Sequence, residues 1–82
     1  MKSRINKLEY RFEIDMHNTK WYYKNNKKHR DKDLPVMIWK DGSKGWFKNG
    51  LRHRDNGKPS NIYFDGRLHW FENGKFIRSN KK

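Results

Sequence analysis

His53-Arg54-Asp55 is a stretch with the side chains of a proton-transfer centre, and the same triplet stands at His29-Arg30-Asp31. An imidazole can move a proton while a guanidinium holds a phosphate, so the set suits general acid–base cleavage of RNA. Its duplication at a spacing of 24 residues points elsewhere. A catalytic set is seldom copied into every structural unit, whereas a His and an Arg ending a strand, with an Asp capping the next turn, suit a repeated device. No catalytic residue is assigned, and the chain is read as a non-enzyme. The histidines at 17, 29, 53 and 69 lack ligand spacing, and neither cysteine nor an H-E-x-x-H pair is present. Hence no metal or cofactor is expected.

The triplets belong to a longer register. At the same offset Pro59 falls on Pro35, Ile62 on Ile38 and Ile14, and Asp65-Gly66 on Asp41-Gly42. Asn49-Gly50 matches Asn73-Gly74 downstream and Asn25-Asn26 upstream. Tyr22-Tyr23, Trp46-Phe47 and Trp70-Phe71 form one aromatic column, and Arg30, Arg54 and Arg78 a basic one. A fixed period of this size marks stacked supersecondary units.

Each unit reads as short strands joined by tight turns, because Asp-Gly and Asn-Gly accept the positive φ angles of a type I′ hairpin. Asn18 and Asn26 replace the turn glycines in the first unit, Asn being the next most tolerant residue. Leu8, Tyr10, Phe12, Ile14 and Met16 alternate with charged residues, the period of a half-buried strand. Ile5, Leu8 and Phe12 also fit a short helix, so residues 1–13 are left as strand, helix or arm. The expected fold is all-β: one domain over 1–82, a meander of six to eight strands. Its repeat region is 14–78, with a loose tail at 79–82. Open sheet edges make a homodimer the expected state.

The pattern W-F-x-N-G-x-x-H-R-D…P…I-Y-x-D-G, from Ile14 to Arg78, resembles the MORN-like repeats of small phage and giant-virus proteins. That resemblance implies hairpin repeats. The Y-x-G-x-W…G-x-G glycine skeleton of standard MORN repeats is missing, and the last copy of the triplet is Ile77-Arg78-Ser79. Lipid binding is therefore not carried over, and an anionic-membrane role stays an alternative. In size and charge the chain is also similar to phage inhibitors of RNase toxins from type III toxin–antitoxin systems, to which no motif aligns. That likeness implies RNA and a host RNase toxin as partners, in the host cytoplasm.

Composition agrees with a polyanion partner. Lys and Arg number 21 against nine Asp and Glu, a formal charge of +12. Such an excess favours nucleic acid, an anionic membrane or an acidic protein, and says nothing about fold. No stretch approaches a membrane span or a signal h-region. Hydrophobic residues are only 32%, but aromatics supply half of them at 16%, enough large side chains for a small core. The expected RNA contacts are Lys24, Lys27, Lys28, Arg30, Arg52, Arg54, Lys58, Arg78, Lys81 and Lys82, with periodic arginines forming a phosphate track. Tyr23, Phe47 and Phe71, or Trp39 and Tyr63, are the candidates for base stacking, with a packed second face or a dimer surface as the other reading. No helix-turn-helix, RNP motif, GXXG loop or zinc finger is present, so sequence-specific reading is not expected. An adaptor for an acidic protein surface is the competing function.

Overall fold

Turn chemistry sets the architecture. In the computed structural model, which describes residues 10–80, each unit has two turns of different kinds. Asn25-Asn26, Asn49-Gly50 and Asn73-Gly74 all carry two successive positive φ angles, 51° and 67° in the first, 52° and 89° in the second, 49° and 86° in the third. These are type I′ hairpins, whose twist matches that of the strands. The Asp-Gly turns differ from the expected type I′. Gly42 N–H donates to Trp39 C=O and Trp39 N–H to Ser43 C=O, while only Gly42 has positive φ, at 94°. That is a type I turn closed by a left-handed residue, and Asp41 Oδ1 holds it by accepting from Ser43 N–H. Asn18, at φ 63°, takes the glycine's place in the first copy.

Ten short strands result: β1 Tyr10–Ile14, β2 Lys20–Lys24, β3 Lys27–Lys28, β4 Met37–Ile38, β5 Lys44–Gly45, β6 Phe47–Lys48, β7 Leu51–Arg52, β8 Asn61–Ile62, β9 Leu68–Glu72 and β10 Lys75–Ser79. All pairings are antiparallel. The main sheet runs β1-β2-β4-β5-β8-β9-β10, with β3 also on β2, and β6 and β7 form a separate ribbon. The count exceeds six to eight even when β5 and β6 are taken as one strand interrupted at Trp46, whose N–H goes to Ser60 and whose C=O takes the His53 N–H. Residues 10–14 are strand, and the Ile5 and Leu8 part of the helix alternative lies outside the described residues. Nor is the end of the chain loose through residue 80: Ser79 belongs to β10, and Asn80 exchanges bonds with both Leu68 N–H and Leu68 C=O.

Units stacked in one direction give an elongated body of 57 × 28 × 18 Å. The core is small. Val36, Met37 and Trp46 are the buried hydrophobic residues, joined by Thr19, Ser43, Ser60 and Asn61. Register puts Trp21, Met37, Gly45, Asn61 and His69 in one cross-strand row, and Ile14, Lys20, Ile38, Lys44, Ile62 and Leu68 in the row beside it. Adjacent rows point to opposite faces, so the repeated isoleucines and the second aromatic set, Tyr23, Phe47 and Phe71, lie on different sides. Gly45 has a packing reason, since a Cβ there would stand 3.3 Å from Asn61 Oδ1.

Candidate nucleic-acid interface

The His-Arg-Asp triplets are staples between units. His29 Nε2 lies 3.1 Å from Asp31 Oδ1, and its Nδ1 accepts the Asn49 N–H of the next unit at 3.1 Å. His53 repeats this with Asp55 at 2.8 Å and Asn73 N–H at 3.0 Å. A backbone donor on Nδ1 places the proton on Nε2, so neither ring nitrogen is left to accept a substrate proton. His53→Ala strands the Asn73 donor and removes two bonds, which costs about 1–2 kcal/mol. Thermal melting should show a midpoint roughly 4–16 °C lower, with His29→Ala behaving alike.

The periodic arginines are laid over rings, Arg30 and Arg54 half-buried and Arg78 exposed. Arg30, Arg54 and Arg78 lie over Tyr22, Trp46 and Trp70 at 3.7, 3.8 and 3.8 Å from the ring centres. Arg30 and Arg54 donate to the carbonyls of Pro35 and Pro59. Arg54 further grips Asp33 with two bonds of 2.9 and 3.1 Å, and Lys58 reaches the same carboxylate at 3.0 Å. Lys24 pairs with Asp31 at 2.8 Å and Lys48 with Asp55 at 3.4 Å. An open groove of about 390 Å³ runs between the two triplet loops. Its lining sets four cations, Arg30, Lys32, Lys48 and Arg54, against three carboxylates, Asp31, Asp33 and Asp55, so it has little net charge to offer a phosphate.

Asp33 is the most perturbed of these acids. Hydrogen bonds from Arg54, then from Lys58, outweigh desolvation and hold its pKa down to about 2. Being lower than in the unfolded chain, that pKa makes Asp33 stabilising above the ordinary carboxylate value near 3.8. The contribution is lost as pH falls toward 2. With 41% of its side chain exposed, solvent screening keeps the effect small. Melting midpoints recorded between about pH 5 and pH 2 should fall, and Asp33→Asn should flatten part of the drop.

A different arrangement lies on the face of the second aromatic set. Across the Asn-Gly hairpins Tyr23 opposes Lys28, Phe47 opposes Arg52 and Phe71 opposes Phe76. Lys28 Nζ sits 4.5 Å from the Trp21 ring centre and 5.6 Å from that of Phe47. The Arg52 guanidinium lies between Phe47 and Phe71, at 4.9 and 5.2 Å. Ring and cation alternate as Trp21, Lys28, Phe47, Arg52, Phe71, all half-buried. Among the described residues neither cation has a carboxylate partner. Arg52 Nε is buried without a hydrogen bond, and burial pulls this guanidinium's pKa down. An uncompensated, partly desolvated cation beside aromatic rings is what an anion with a flat group attached would satisfy.

The remaining candidates fall around these two sites. Tyr23 lies under Arg11 at 4.3 Å. Trp39 and Tyr63 stack on each other at 5.9 Å and 21°, with Arg67 over Tyr63. Lys27 is exposed on β3 and makes no ion pair among the described residues. Lys81 and Lys82 lie outside those residues. The structure thus brings together Lys28, Arg52, Phe47 and Phe71, and separates them from the internally satisfied Arg30, Arg54 and Lys58. Sequence reasoning missed Trp21, although alternation along β2 puts it on the Tyr23 side. It also missed Asp33, because the repeat places Gly57 at the matching position. No cluster of three metal-ligating side chains, and no helix able to cross a membrane, occurs among the described residues. Comparison of the chain with protein-family models, curated proteins and solved structures gives no match.

Proposed function

We propose that the protein binds RNA through the Trp21–Lys28–Phe47–Arg52–Phe71 face, by charge and stacking and without chemical turnover. The observation that carries this reading is the alternation of half-exposed rings with two cations that have no carboxylate partner. Single-stranded RNA suits such a surface, since its unstacked bases can lie on aromatic rings while its phosphates meet the cations. The charge of +12 adds long-range attraction. Engagement of both nitrogens of His29 and His53 supports binding rather than cleavage. The likeness to phage inhibitors of RNase toxins extends the proposal to an accessory role in which bound RNA helps hold a toxin inactive.

A salt titration against single-stranded RNA, duplex RNA and duplex DNA of equal length tests it. Single-stranded RNA is expected to bind tightest, and to weaken steeply between about 50 and 200 mM salt. No preference for nucleic acid at physiological salt would assign the charge to an acidic protein partner instead.

A further inference from the structure

The two ends of the sheet are built differently. At the C-terminal end β10 carries a bulge between Phe76 and Arg78, Asn80 bonds back to Leu68 and Gly66, and Phe76 and Ile77 are 56% and 51% exposed. At the N-terminal end β1 is a regular five-residue strand with an open outer edge among the described residues. Every one of its residues is exposed, Tyr10 at 61%, Phe12 at 48% and Ile14 at 55%.

The sequence of that edge, Tyr10-Arg11-Phe12-Glu13-Ile14, is self-complementary. Asp15 N–H points across the sheet at Thr19, and Glu13 and Arg11 share its direction by alternation. The N–H and C=O groups of Tyr10, Phe12 and Ile14 therefore point outward. A second copy laid antiparallel with Phe12 on the two-fold axis has its own outward groups at the matching positions. Tyr10 then stands opposite the partner copy's Ile14, and Arg11, which pairs with Glu13 of its own strand at 2.8 Å, stands opposite the partner copy's Glu13, twice over, so that the four charges alternate in sign. Opposite charges directly across an antiparallel pair attract, and like charges there repel.

We infer that the β1 edge is the interface of a two-fold homodimer, formed by antiparallel pairing of β1 with β1 of a second copy about Phe12. The β10 edge fits a second copy poorly. Lys-Phe-Ile-Arg-Ser carries two cations and no acid, and its bulge breaks the ladder. Because directly opposed residues share a face, the two-fold axis is perpendicular to the sheet. The ring-and-cation faces of both copies then look the same way and line up as one longer surface. Dimerisation itself does not rest on the RNA reading.

Sedimentation equilibrium of the full chain, over a concentration series, decides the matter. The wild type is expected to form dimers, with moderate salt strengthening association by screening +12 against +12. Arg11→Glu and Glu13→Arg each convert both cross-copy pairs into repulsive ones and should weaken the dimer about tenfold or more. The double variant R11E/E13R restores complementarity and should restore the wild-type constant. An equimolar mixture of the two single variants should give heterodimers. Circular dichroism is expected to be unchanged throughout, since both side chains are about half exposed. A wild type monomeric at its highest soluble concentration would overturn the inference, as would single variants that dimerise normally or a double variant that stays weak.

Discussion

Trp46→Ala is expected to leave the chain largely unfolded near growth temperature. Trp46 is 7% exposed, and three other parts of the molecule depend on it. Its indole Nε1–H reaches back to the Asp33 carbonyl at 3.0 Å, its ring lies under Arg54, and its backbone joins Ser60 and His53. Truncating a buried Trp costs about 3–5 kcal/mol through lost transfer free energy and the cavity left behind. A small domain has about 5–15 kcal/mol in total, and a core of three hydrophobic residues places this one toward the low end. Near-ultraviolet circular dichroism and amide dispersion should both collapse. Trp70→Ala should cost less, because that ring is only half-buried, although it repeats the Arg78 stack and the indole bond to Gly57. Phe64→Ala, at a residue 70% exposed, should change the melting midpoint little. Equal losses at Trp46 and Trp70 would contradict a core centred on the middle unit.

The second large effect concerns binding. A Lys28→Gln, Arg52→Met double variant should lose about tenfold or more in affinity for single-stranded RNA near 0.1 M salt. The plot of log affinity against log salt should become shallower by about 1.4, roughly 0.7 for each phosphate contact removed from a single strand. Met at position 52 keeps an unbranched apolar chain between Phe47 and Phe71, so stability should hold. Lys20→Gln with Lys44→Gln removes the same charge from exposed positions in the isoleucine row, on the face opposite the rings. If that pair weakens binding as much, the attraction is diffuse and the ring-and-cation face is not the site. Arg54 is the wrong residue for this comparison. A Glu there would meet Asp33 and lose the Trp46 stack, so its failure to bind would report on folding.

The proposed site was partly legible because the repeat is. Lys28 and Arg52 recur at the period of the repeat, as do Phe47 and Phe71, so their common column follows from counting residues. The same counting assigned equal roles to Arg30, Arg54 and Arg78. It could not distinguish a cation facing solvent from one laid over a Trp ring with a carboxylate in its fork. Asp33 supplies that carboxylate from 21 positions away, and the next unit has Gly57 at the matching position. The Asp-Gly turns are a similar case: their residues announce a hairpin, but the left-handed position is the Gly alone, and the Trp39–Ser43 pairing decides the type.

By itself the sequence determined the all-β class, the three-unit register and the places where the chain reverses. These rest on local physics: which residues tolerate positive φ, and which side of a strand each side chain faces. Only the tertiary structure decided which cations are neutralised and which are left between rings, which outer strand is regular and which is bulged, and that the paired triplets are staples. Those outcomes depend on groups 20 or more residues apart meeting within a few ångströms, as His29 does with Asn49 and Arg54 with Asp33. Such meetings are set by strand register and turn geometry acting together, and no single stretch of the chain encodes them.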